Sequence, residues 1–90
     1  MHTFPKIIKV APLPDKKLMV LFDNGTTRMY ECNRLLQRPE FSLLKEDALF
    51  KSVKVDIGGY GISWNDDMDI SEYELWTNGT ETDACIAPLQ

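Results

Sequence analysis

Histidine is almost missing from this sequence of 90 residues, which holds a single one, His2, near its start. Nucleophilic catalysis needs a nucleophile beside a base that activates it. With one histidine on a terminus and no obvious activating neighbour at either cysteine, the sequence offers no such pair. The cysteines, Cys32 and Cys85, are too far apart in sequence for a paired-ligand motif. Nothing marks the chain for export, so free thiols are expected rather than a disulfide. Long apolar runs are also absent: charges or prolines interrupt each one well short of the roughly 20 residues that cross a bilayer. The start, Met1-His2-Thr3-Phe4-Pro5-Lys6, lacks the pattern of a signal peptide. A cytoplasmic protein is the expectation, with Asn24-Gly25-Thr26 and Asn78-Gly79-Thr80 read as turns rather than glycosylation sites.

What is present suits one small folded domain. The hydrophobic fraction is 43%, near that of ordinary globular chains. A chain of this length buries somewhat over ~60% of its unfolded surface, which permits one core. Charge is unevenly placed. Residues 1–54 hold all ten Lys and Arg against six acids, and residues 55–90 hold eight acids and no base, leaving +4 and −8. The plain expectation is that the two halves fold together and neutralise each other. The alternative is a negative interaction face.

Local patterns give an α+β reading. Lys6–Ala11 is rich in β-branched residues and reads as a strand, which Pro12, Pro14 and Asp15 should end. Lys17–Phe22 and Thr26–Glu31 flank Asp23-Asn24-Gly25, a strong hairpin signal. A three-stranded N-terminal meander is therefore expected. Asn33 is placed to cap a helical turn over Arg34–Gln37 that Pro39 stops, and Asp47 to begin another turn. Val53–Ile57 and Ile62–Trp64, joined by Gly58-Gly59-Tyr60-Gly61, predict a C-terminal hairpin. Ser71 and Glu74 form a capping box for a last helix, in which the serine hydroxyl and the glutamate each take one orphan amide. Gly79 should end that helix. The predicted fold is thus a small antiparallel sheet, meander plus hairpin, with short helices packed on one face. Residues 1–79 form the domain. Residues 80–90 form a tail, either loose or adding an edge strand at Ala84–Ala87.

Two motifs tempt and fail. Asn65, Asp67 and Asp69 occupy the first, third and fifth positions of a calcium loop, but the sixth is Ile70 rather than glycine and the twelfth is Trp76 rather than glutamate. A solvated turn is the better reading. The loop Gly58–Gly61 leads into a strand, not into a helix whose N–H groups would hold a phosphate. No metal, cofactor or catalytic residue is assigned, and the expectation is that the protein is not an enzyme. The basic side chains are dispersed and carry no nucleic-acid-binding signature, so no nucleic acid is expected. Lysines on the first strand suit an exposed edge instead. The candidate interaction residues are Trp64, Asp66, Asp67, Asp69, Tyr73 and Trp76, aromatics beside acids, suited to a basic protein partner. For the two tryptophans, burial in the core is the competing reading.

Several segments in order carry a family resemblance. They are Pro5–Asp15, Leu18–Gly25, Leu35-Leu36, Phe41–Leu44, Leu49–Asp56 and Ile62–Trp64 followed by Asp69-Ile70. In these the sequence resembles the bacterial family called domain of unknown function 2442. The resemblance spans roughly residues 4–76. It implies a small α+β fold and brings no activity and no catalytic residue. It further implies the small member of a proposed toxin–antitoxin pair, encoded beside another small protein. Longer members continue into a helix-turn-helix domain that this sequence does not reach. Asp67 stands where many relatives carry glycine. The functional expectation is a protein-interaction module, with a ligand-sensing domain lacking its effector, or an enzyme of unrecognised type, as alternatives.

Overall fold

The computed structural model describes residues 4–82. Strand β1 (Ile7–Leu13) pairs antiparallel with β2 (Lys17–Phe22), and β2 pairs with β3 (Thr27–Glu31). The meander expected from the sequence is therefore present. The strand does not stop at Pro12, which pairs with Leu18, and ends at Leu13, two residues beyond the expected end. Within its sheet β1 is an edge strand, where a residue without an N–H costs no ladder bond. The β1–β2 turn places Asp15 and Lys16 at positive φ, 64° and 59°.

Asn33 does not cap a helix. Its side-chain amide donates to the Asp15 carbonyl at 3.0 Å and to Glu31 at 3.2 Å, bracing the strained turn. The following 3-10 turn, Leu35–Gln37, has no side-chain cap, and Pro39 opens a second one, Pro39–Lys45, instead of closing the first. Proline suits that opening position because its absent N–H would lack a partner there. Helix α1 (Asp47–Phe50) begins at Asp47 as expected.

The C-terminal hairpin gains a strand. Strand β4 (Lys54–Val55) is shorter than its alternating sequence suggested, and β5 (Gly61–Asn65) pairs with it. A further strand, β6 (Met68–Ser71), pairs on the other side of β5 and runs directly into helix α2 (Glu72–Asn78). Strand β7 (Thr80–Glu81) then joins β3. Among the described residues the sheets are thus β1-β2-β3-β7 and β4-β5-β6. The edge strand expected at Ala84–Ala87, and Cys85 with it, lies outside the described residues.

One apolar cluster lies between the two sheets and the short helices. Leu18, Val20 and Phe22 alternate along β2, and Tyr30, Phe41, Leu44, Phe50, Ile62, Met68, Ile70 and Leu75 close around them. At the junction of the sheets, Gly58 and Gly59 have φ of 83° and 76°. A Cβ on Gly59 would lie 2.6 Å from the Ile7 carbonyl oxygen, so the backbone approaches β1 closer than any side chain allows. Gly79 ends α2 for a different reason than expected. Its φ of −76° is open to any residue, but a Cβ there would lie 2.5 Å from the Leu75 carbonyl and 3.1 Å from Arg28.

The capping box is half formed. Ser71 Oγ accepts from the Glu74 amide at 3.2 Å, whereas the Glu74 carboxylate accepts from the Tyr30 hydroxyl at 2.8 Å.

Two stability measurements check this account. Ser71→Ala should cost about 1 kcal/mol, read as a lower urea midpoint at unchanged slope. Gly59→Ala combines positive φ with a backbone clash and should cost roughly 2 kcal/mol or more. A midpoint for Gly59→Ala equal to wild type would mean that the two sheets do not meet there.

Candidate interaction surface

The residues singled out in the sequence fall in four places. Trp64 is 6% exposed, stacks on Phe50 at 6.3 Å and donates its indole N–H to the Phe50 carbonyl at 3.0 Å. It belongs to the core and reaches no partner without repacking. Trp76, on α2, is half-buried against the four-stranded sheet, edge-on to Phe22 at 5.1 Å, with the Arg28 guanidinium 4.0 Å above its ring. Tyr73 is exposed and packs edge-on against Phe4 at 5.0 Å.

The acidic trio sits on the β5–β6 hairpin. Asn65 Oδ1 accepts from the amides of Asp67 and Met68 at 2.8 and 3.0 Å, closing a tight turn with Asp66 and Asp67 exposed at its tip. That oxygen closes the turn by taking both amides, which is why the stretch folds as a hairpin tip. Asp69 follows on β6 across from Ser63, with its neighbours Met68 and Ile70 facing the core. Among the described residues none of the three aspartates forms an ion pair.

At the other end of the same ladder lies an aromatic cluster that the sequence reading did not assemble. The Tyr60 carbonyl accepts from the Glu72 amide at 3.0 Å, holding the Gly58–Gly61 turn to the start of α2. Lys6 Nζ lies 4.4 Å from the Tyr60 ring centre and 3.0 Å from Glu72 Oε2. Phe4, Lys6, Tyr60, Glu72 and Tyr73 are therefore neighbours, with Tyr60 60% and Tyr73 53% exposed, and Ile57 beside the turn is 98% exposed. A tyrosine between two glycines was the available signal for Tyr60, since such a turn leaves its aromatic side chain little to pack on.

A groove runs along the far side of β6. Two adjoining hollows of about 200 and 190 Å³ share Tyr30, Leu35, Arg38 and Glu74. Asp69, Ile70 and Ser71 line one end, and Arg34 and Asn78 the other. Burial, and then the hydrogen bond to Glu74, hold the Tyr30 phenol well above its usual range, so it keeps its proton and acts as donor.

A family model described as a protein of unknown function, DUF2442, matches residues 7–81. The chain belongs to this family. No curated protein and no solved structure matches it. The DUF2442 segment begins at the first residue of β1 and ends at the last of β7, so it takes in both sheets and the whole apolar cluster. Within the aromatic cluster Tyr60, Glu72 and Tyr73 fall inside the DUF2442 segment, and Phe4 and Lys6 precede it.

Cys32 is fully buried, and burial, with a smaller contribution from Glu31, pushes its thiol up to about 12. The unfolded chain ionises this thiol near its ordinary value of 9.0. Its stabilising contribution is therefore complete below about pH 9 and is lost as pH rises towards 12, at up to ~1.4 kcal/mol per pH unit. In a Cys85→Ser background, the fall in stability between pH 9 and 11 should be shallower with Cys32→Ala than without it. Parallel curves for the two proteins would mean that Cys32 ionises equally well folded and unfolded.

Proposed function

We propose that this DUF2442 protein acts as a protein-interaction module, the small partner of a toxin–antitoxin-type pair, and binds a basic protein encoded beside it. The observation that carries this reading is the juxtaposition along one hairpin of exposed rings at one end, Tyr60 and Tyr73, and unpaired carboxylates at the other, Asp66, Asp67 and Asp69. Four ladder steps separate the two ends, roughly 15 Å at the rise of a strand, which fits within one standard interface. Exposed rings on a fixed turn suit anchoring, because little side-chain freedom is lost when they are covered. Free carboxylates at the rim suit steering of a basic partner. The role is binding rather than catalysis, and the partner is a protein rather than nucleic acid or membrane.

Co-expression with the product of the adjacent gene tests the pairing. Tyr60→Ser with Tyr73→Ser should weaken the complex at least about tenfold without moving the melting temperature, as expected for rings whose loss costs ~1–2 kcal/mol in an interface. Replacing Asp66, Asp67 and Asp69 by asparagine should slow association and flatten its salt dependence, with dissociation little changed. Association kinetics that ignore the triple replacement would exclude the acidic tip from the interface.

A further inference from the structure

The ladder between β5 and β6 fixes which way each backbone group of β6 points. Glu72 donates to the Tyr60 carbonyl, so that pair is hydrogen-bonded, and in an antiparallel ladder bonded and non-bonded pairs alternate. Gly61↔Ser71 is then a non-bonded pair, Ile62↔Ile70 a bonded one and Ser63↔Asp69 a non-bonded one. The Gly61 carbonyl confirms the phase, since it accepts from Asp56 on the opposite side of β5. The N–H and C=O groups of Asp69 and the N–H of Ser71 are consequently directed away from β5, out of the free edge of the three-stranded sheet, while the Ser71 carbonyl, at the N-cap, is taken by the first turn of α2. Glu74, which would turn back to the Ser71 amide in a complete capping box, is held by Tyr30 instead.

That edge borders the groove. Its opposite wall is Leu35, Arg38 and Phe41, and Arg34 stands at its end beside Asn78. Among the described residues Arg34 and Arg38 form no ion pair, while Glu74 is engaged by the Tyr30 hydroxyl. Apolar contact from Leu35 and Ile70, the outward N–H and C=O of Asp69 with the N–H of Ser71, and two uncommitted guanidinium groups thus share one channel.

We propose that this groove binds an extended, acidic peptide segment of another protein, which adds to β6 as a fourth strand and places carboxylates on Arg34 and Arg38. Main-chain bonds to Asp69 and Ser71 supply register, and the arginines supply selectivity. A second copy of this chain is a poor occupant. Pairing two β6 strands about Asp69 opposes Asp69 to itself, and a shift of register moves the acidic tip, Asp66 and Asp67, towards Glu72 and Glu74 of the other copy. Like charges meet in either arrangement. The proposal does not depend on the aromatic cluster at the far end of the hairpin.

The test uses the full chain and two short synthetic peptides, one alternating valine with glutamate and one alternating valine with lysine. Binding is followed by anisotropy and by amide hydrogen exchange. The glutamate peptide should slow exchange at Asp69 and Ser71 about tenfold near saturation and leave Ile70 unchanged, because the Ile70 amide is already bonded to β5. The lysine peptide should bind at least about tenfold more weakly. Arg34→Glu with Arg38→Glu, both on exposed side chains, should remove most of the difference between the peptides. Asp69→Pro deletes an outward N–H and spares the β5 ladder, so it should abolish the protection at Ser71. The Tyr60→Ser, Tyr73→Ser protein should bind the glutamate peptide as wild type does, which separates this site from the aromatic surface. Absent protection at Asp69 and Ser71, equal binding of the two peptides, or a double arginine variant that still prefers glutamate would each overturn the proposal.

Discussion

The hydrogen bond from Tyr30 to Glu74 decides how the two halves of this protein meet. Tyr30 belongs to the meander and Glu74 to the last helix, 44 residues later, and the 2.8 Å contact fixes α2 against β3. In this half-buried setting a phenol that keeps its proton donates to a carboxylate, and a charge-assisted bond of that kind is roughly twice as strong as a neutral one. The same contact diverts Glu74 from the Ser71 amide. It therefore shapes the end of β6, the floor of the groove and the angle at which the helix leaves the sheet.

The charge imbalance between the halves resolves only in part through ion pairs. Lys6 reaches Glu72 across the domain, while Lys16 and Lys51 both turn to Asp47 within the basic half. Arg28 spends its charge on the Trp76 face and the Gly79 carbonyl rather than on a carboxylate. The two lysines hold the Asp47 carboxyl below the usual carboxylate range, but at a fully exposed site solvent screens most of that effect. What remains unpaired on the acidic side is concentrated at the hairpin tip and along β6. On the basic side it includes Arg34 and Arg38, facing the groove. The imbalance visible in the sequence thus becomes two local features of opposite sign on either side of one strand.

Much of the architecture could be read from the sequence because it rests on local rules. Alternation marked β2 and β3, Asn24-Gly25 marked their turn, and Ser71 marked the start of α2, each a signal contained within a few residues. Two of the misreadings involve a partner distant in sequence. Pro12 reads locally as a strand end, but only sheet order makes β1 an edge where proline is tolerated. Asn33 reads locally as a helix cap, but its amide donates to the Asp15 carbonyl, which the meander brings beside it. Strand β6 was overlooked because Met68-Asp69-Ile70-Ser71 is too short for its alternation to stand out from the turn before it. Trp64 and Trp76 resemble each other as letters, yet one lies beneath the small sheet and the other beside the large one. The DUF2442 resemblance supplied order and spacing of segments, and hence the fold, without the contacts that distinguish these cases.

Two of the four sheet edges, β1 and β6, are guarded differently, and this difference separates a structural edge from a receptive one. Strand β1 carries Pro12 within it and Lys9 beside a register shift, and the Gly58-Gly59 turn packs against its start. Proline, lysine and irregular register are the usual means of blunting an edge against foreign strands. Strand β6 carries neither proline nor lysine, and the one register shift in its ladder falls between Ser63 and Asn65 on β5. Its protection is short length and the negative charge of Asp69, which opposes another copy of the same acidic hairpin but not every strand. A cover that discriminates by charge leaves the edge open to a sequence complementary to the groove behind it. There the arginines from the segment after β3 stand opposite the strand. The residues that keep this edge from pairing with itself are therefore compatible with its pairing with something else.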